Sequence, residues 1–187
     1  MRFFRIIPLL LLPLMLAATA EGASVVELSL PAHIAQSTAV IEARVDSARA
    51  VVGKPNGATN TLTTLRIERV LQGEAPASIT IRQIGGTLEG ITTAVPGDAK
   101  FEVGAKVLVF VRKWDDGFWY LTALTQSVYL IKGEGSKATV ERDFTGLSLF
   151  ERGPDGRLVH KEGANPDFKT LGALRDAIGA AVRGPRK

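Results

Sequence analysis

The 187-residue sequence predicts a mainly β fold: an antiparallel sheet of about five to seven strands curled on itself, followed by one C-terminal α-helix. Three observations carry that reading. Short segments of period-two alternation succeed one another through tight turns, with no helix between them. One segment, Val107-Leu108-Val109-Phe110-Val111, is apolar throughout, as a strand covered on both faces must be. Near the C-terminus the period changes, and Leu171, Leu174, Ile178 and Val182 recur at helical spacing. Consecutive strands of this kind build a sandwich or a barrel, and a closed barrel leaves no exposed edges.

The chain begins with a pattern of its own. Arg2 and Arg5 precede an apolar run from Ile6 to Leu16, and Ala18-Thr19-Ala20 offers the small-x-small exit of an export signal. Residues 1–20 are expected to be removed before Glu21, and the protein to be secreted, to the periplasm or beyond. The run is too short for a spanning helix, which needs about 20 apolar residues. No stable membrane anchor is expected after cleavage. There are no cysteines, so disulfides, thiol catalysis and thiolate metal sites are excluded. Residues 21–150 are expected to form the β domain, and 151–187 a polar linker and a helix packed on or beside it. A chain of this length buries roughly 70% of its unfolded surface, enough for one core without cross-links.

The elements follow in order. Pro31 suits the first turn of a short helix reaching Gln36. From Ala39 to Asp46, Ile41, Ala43 and Val45 alternate with Glu42, Arg44 and Asp46, a half-buried strand running toward Val52. Gly53-Lys54-Pro55-Asn56-Gly57 turns the chain. Thr61 to Leu71 is a second strand, and the break of alternation at Val70-Leu71 predicts a bulge. Ser78 to Ile84 is a third, with Ile79 and Ile81 inward. Gly85 to Gly104 then reads as a long irregular loop, with a type II turn at Pro96-Gly97. After the apolar strand, Asp115-Asp116-Gly117 makes a hairpin turn. Phe118–Leu124, Ser127–Lys132 and Ala138–Arg142 complete the strands. Gly153 to Gly163 is polar and turn-rich, and Asn165 or Asp167 is placed to cap a helix from about Phe168 to Val182.

Four signposts together resemble a known layout: Val40-Ile41-Glu42-Ala43-Arg44-Val45; Leu65 through Gly73; Ile79-Thr80-Ile81-Arg82 running into Gly85-Gly86; and Phe101-Glu102-Val103-Gly104 before the apolar strand. The chain resembles a group of secreted bacterial proteins that carries no assigned activity. Its layout is similar to the OB-fold domains of tissue inhibitors of metalloproteinases and netrin modules. The resemblance covers Thr38 to Ile131 and implies an antiparallel OB-like barrel with a C-terminal α-helix. It implies no activity. The inhibitors chelate a protease zinc through an N-terminal cysteine, which this chain lacks, and Gln72 stands where they more often carry lysine.

Candidate chemistry is sparse. His33 and His160 lie far apart on segments read as irregular, and read as ordinary surface histidines with no third ligand for a metal. Asp115 and Asp116 read as turn formers. Gly133-Glu134-Gly135-Ser136-Lys137 lacks phosphate-loop spacing, and no serine sits in a nucleophile elbow. The net charge of +4, without an aromatic-studded basic stripe, points away from nucleic acid. Arg183, Arg186 and Lys187 read as a solvated tail. No cofactor is expected. Binding residues are expected on two features: the long loop, through Gly85, Gly86, Pro96 and Gly97, and the aromatic hairpin, through Trp114 and Trp119. The expected role is a non-enzymatic binding module of the bacterial envelope, with a protein, peptide or glycan partner. The alternatives are a cysteine-free inhibitor of extracellular proteases acting through the loop, and a hydrolase using the dispersed carboxylates Asp98, Glu102 and Asp115.

Overall fold

The computed structural model describes residues 22–53, 57–161 and 168–184. The segment expected to act as an export signal, with Ala18, Ala20 and Glu21, the expected turn residues Lys54, Pro55 and Asn56, the cap candidates Asn165 and Asp167, and Arg186 and Lys187 lie outside the described residues. In chain order the elements are β1 (Ala23–Val26), α1 (Leu30–Ala35), β2 (Ala39–Val52), β3 (Thr59–Gly73), β4 (Ser78–Ile84), β5 (Gly86–Leu88), β6 (Ile91–Thr93), β7 (Lys106–Lys113), β8 (Trp119–Leu121), β9 (Val128–Lys132), β10 (Thr139–Glu141), β11 (Leu147–Arg152), β12 (Leu158–His160) and α2 (Leu171–Arg183). Among the described residues no helix is long and apolar enough to cross a membrane.

Strands β2, β3 and β4 form an antiparallel meander, and β7 returns to pair with the free side of β2. β8 turns back along β7 and also meets β4, closing a five-stranded barrel in the order β2-β3-β4-β8-β7. That is an OB-like arrangement. It is mixed rather than purely antiparallel, because an odd number of strands with alternating directions cannot close without one parallel pair. The parallel pair is β4 with β8, and it consists of Ile81 opposite Trp119. β9 and β10 continue the sheet outward from the first half of β7.

The strand patterns reach the core as their alternation predicts. Ile41, Ala43 and Val45 of β2, Leu65 of β3, Ile79 and Ile81 of β4, and Val107, Val109 and Val111 of β7 fill the barrel. The expected bulge falls at Leu71: Val40 is opposite Gln72 but Ile41 is opposite Val70. Two more register shifts follow along the same ladder. Bulges bend and twist a strand, which lets the long β2–β3 hairpin wrap around the barrel.

A second core lies outside the barrel. Val40, Leu108 and Phe110 point away from the interior and pack with Tyr129, Ile131 and Val140 against Ile34, Leu171, Leu174 and Ile178 of the two helices. β7 is therefore covered on both faces, as its unbroken apolar run requires. α1 is capped by Ser29, whose Oγ accepts from Ala32 N, with Pro31 in its first turn. α2 starts later than Phe168, because Thr170 supplies the cap, accepting from Ala173 N at 3.3 Å. Val182 lies beyond the support of the sheet and is exposed.

Several segments differ from their sequence reading. Glu42 alternates outward but is buried, because α2 covers that face. Arg175 grips it with two bonds, Nε to Oε1 at 2.6 Å and Nη2 to Oε2 at 2.5 Å. His33 is a core residue rather than a surface one: α1 lays its ring on Phe110, centroids 4.5 Å apart, with Nε2 3.0 Å from Ser127 Oγ. The loop after Gly85 contains the β5–β6 hairpin, turned at Glu89-Gly90, both with positive φ as a type I′ turn requires. The turn-rich tail folds as the β11–β12 hairpin around Pro154-Asp155-Gly156, and β1 adds to it in parallel. Its pattern is weak because all three β12 residues are exposed.

Two predictions follow from the second core. Arg175→Ala leaves the Glu42 carboxylate buried and unpaired, and should cost about 3–5 kcal/mol of stability, whereas the double change Glu42→Met with Arg175→Leu should recover most of it. Urea denaturation of the wild type and the two variants makes the comparison; equal losses in the single and double variants would contradict it. Burial, aided by the positive charge of Arg142, lowers the His33 pKa from 6.5 to about 4. The unfolded chain therefore binds the extra proton first. The stabilisation is complete above pH 6.5 and is lost as pH falls toward 4, on the order of 3 kcal/mol in all. Stability measured against pH should lose this slope in His33→Gln.

Candidate binding site at the barrel mouth

One end of the barrel is lined by polar side chains where the inward rows run out. Thr61 and Thr63 continue the inward row of Leu65 on β3, and Gln83 continues that of Ile79 and Ile81 on β4. These three residues, with Ala48, border a cleft of about 270 Å³. Its outer wall is the segment after β4, from Gly85 and Gly86 to Asp98, Lys100 and Phe101.

The glycines are there for close approach. Gly85 has φ +101°, and a Cβ on it would lie 2.6 Å from Thr93 O, where the β5–β6 hairpin folds back. A Cβ on Gly86 would lie 2.5 Å from Thr61 Oγ1. Pro96-Gly97 forms the expected turn, with Gly97 at φ +74° and Asp98 N donating to Val95 O at 3.1 Å. Gly97 is buried against Leu147 of β11, so the turn is clamped rather than free.

That turn places Asp98 over the cleft. Its Oδ1 accepts from Ala99 N at 2.8 Å, Gln83 hydrogen-bonds it, and Gln83 Nε2 also donates to Ala99 O at 2.8 Å. Burial raises the Asp98 carboxyl above its ordinary range, and these two hydrogen bonds only partly offset the burial. Asp98 also lines a second cleft of about 180 Å³, on the other side of Val95, walled by Arg82, Tyr120, Leu121 and Leu124. Leu124 is held at φ +47°, an uncommon conformation for leucine costing on the order of 1 kcal/mol.

The aromatic hairpin stands beside this second cleft. Its turn closes through Gly117 N to Trp114 O and Trp114 N to Phe118 O, both at 3.1 Å. Trp114 is 58% exposed, its ring 5.7 Å from that of Tyr120. Tyr120 donates to Asp116 Oδ2 at 2.6 Å, a bond that holds the Asp116 carboxyl below its usual range. The Arg82 guanidinium lies 5.5 Å over Phe118 and 3.6 Å from Asp116. Trp119, expected beside Trp114 as a contact residue, instead plugs the barrel and is 4% exposed. Period two puts it opposite Phe118 and Tyr120, and the interior is the face it occupies.

Gly85, Gly86 and Asp98 thus reach the hairpin residues through Arg82 and Tyr120 on one barrel end, whereas Pro96 and Gly97 shape the turn and line neither of the two clefts. Glu102 borders a different cavity, and Asp115 is exposed in the hairpin turn, so the three dispersed carboxylates do not share a cleft. Glu134 of the β9–β10 turn is paired with Lys106, and His160 lies edge-on to Phe150. Among the described residues no three of His, Asp and Glu come together as metal ligands would. Sequence reading missed Thr61, Thr63, Gln83 and Arg82. The available signal was a polar residue ending an apolar inward row. No protein-family model matches the chain, and no curated protein or solved structure is significantly similar to it.

The raised pKa of Asp98 means that the folded state holds its proton more tightly than the unfolded chain does. This contribution favours folding at pH values below the unfolded pKa and is lost as pH rises through the folded one. Asp98→Asn should therefore unfold at the same or higher temperature than the wild type at pH 7, with the difference shrinking below the ordinary aspartate range. A lower melting temperature at pH 7 would contradict the burial account.

Proposed function

We propose that this protein is an exported, non-enzymatic binding module of the bacterial envelope, which takes a protein, peptide or glycan partner at the open end of its barrel. The observation that carries the reading is the convergence of the glycine-lined wall, the two clefts and the exposed Trp114 on that one end. A large exposed aromatic ring next to a concave, mostly apolar surface with a few polar groups is what binding hot spots use. The N-terminal pattern of Arg2, Arg5 and Ala18-Thr19-Ala20 supports export, as does the resemblance to secreted bacterial proteins. Without cysteines the exported fold has to hold by packing alone, and its two cores supply that packing.

Cross-linking pull-down from the organism's own envelope fraction, read by mass spectrometry, tests the reading. Trp114→Ala should weaken capture of the recovered partner about 30-fold, the loss of a hot-spot residue. Because Trp114 is exposed, its melting temperature should hardly move. Capture unchanged by Trp114→Ala would refute this placement. Trp119→Ala, in contrast, should lose about 3–5 kcal/mol of stability through the core.

A further inference from the structure

Asp98 stands at the cleft with no cation against it. Among the described residues it makes no ion pair, and its hydrogen bonds come from Ala99 N and Gln83. Of the basic side chains lining the two clefts, Arg82 is engaged by Asn60 and Asp116, and Lys100, whose charge acts on Asp143, makes no ion pair with Asp98. A part-buried carboxylate without a counter-charge is costly. On the wall of the same cleft Thr63 is fully buried, and its Oγ1 has no hydrogen-bond partner. Buried polar atoms are rarely left so. A carboxylate without a counter-charge and a hydroxyl oxygen without any partner thus line one cavity. Much of the remaining lining is hydrocarbon, from Ala48, Val95 and Phe101.

We propose that the barrel-mouth cleft is a receptor for a primary ammonium group on a short alkyl stem, as a lysine side chain or a free alkylamine presents. The inference rests on the reading of this barrel end as a binding surface and names the chemistry it takes. An ammonium carries three donors and no acceptor, which matches a carboxylate and a hydroxyl oxygen. A guanidinium fork needs both carboxylate oxygens side by side, and Oδ1 of Asp98 is already engaged by Ala99 N. The methylenes of the stem lie along Phe101 and Ala48, removed from water as the stem of a lysine usually is.

The test is a two-dimensional 1H–15N NMR titration of the protein with n-butylamine, with Nα-acetyl-lysine methylamide, and with butan-1-ol as the uncharged control. The amine or the lysine derivative should shift the amides of Gly85, Gly86 and Ala99 saturably, and the alcohol at least about tenfold more weakly. Response to both amines assigns the ligand to the shared group; response to one alone assigns its source. Asp98→Asn and Thr63→Val should each weaken the amine about tenfold. Asp98→Asn is expected to be no less stable than the wild type, so its loss is not unfolding. Equal titration by the alcohol, an unchanged response in Asp98→Asn, or no shift by about 10 mM amine overturns the proposal. If the amine fails while Trp114→Ala still weakens partner capture, the ammonium proposal falls and the binding reading stands. If the amine titrates while Trp114→Ala leaves capture intact, the ammonium site stands and the aromatic rim does not.

Discussion

The pairing of β2 with β7 holds this molecule together. Ala39 to Arg44 runs antiparallel to Lys106 to Val111, joining segments more than sixty residues apart in the chain. Over this paired stretch, from Ala39 to Ala43 and from Val107 to Val111, both strands are buried on both faces. Inward, Ile41, Ala43, Val107, Val109 and Val111 fill the barrel. Outward, Val40, Leu108 and Phe110 receive the two helices. The pair therefore serves two cores at once, and neither can form without it. The buried Glu42 belongs to the same ladder, and its bidentate partner Arg175 ties the last helix to the first barrel strand.

The candidate site is a consequence of how the barrel closes. Five alternating strands force one parallel contact, and here it shrinks to Ile81 opposite Trp119. With so short a closing strand, the space above Trp119 is filled by chain rather than by sheet. The Val95–Asp98 turn crosses there, anchored by Gln83 to Ala99 and by the packing of Gly97 on Leu147. What remains on its two sides are the two clefts. The hairpin that supplies Trp119 to the interior supplies Trp114, Phe118 and Tyr120 to the rim, so core and candidate contact surface alternate along one short stretch.

The legible part of this fold was the part governed by local period and turn chemistry. Ser78–Ile84 is found where its alternation places it, the bulge falls at Leu71, and Pro96-Gly97 and Asp115-Asp116-Gly117 turn as their residues demand. The apolar run of β7 announced that both of its faces would be covered. Less legible were β5, β6, β11 and β12. β6 and β12 are exposed throughout, β5 is three residues long, and β11 buries only Leu149, so none carries a clear alternation and pairing makes them strands. Of the site, the glycine wall and Trp114 were visible as composition. Gln83, Thr61 and Thr63 were not, since a polar residue in an inward row looks like any other until the row is known to end at a barrel mouth.

By itself the sequence determined which residues share a face and where the chain turns, because side-chain period and backbone restrictions at Gly and Pro are local properties. Only the tertiary structure decided what covers each face. Glu42 reads as a solvated charge until a helix 133 residues later lies on it. His33 reads as exposed until its helix lies on Phe110, and Trp119 cannot be told from Trp114 until β8 reaches β4. Burial is a relation between distant segments, and an alternation pattern records one side of that relation only.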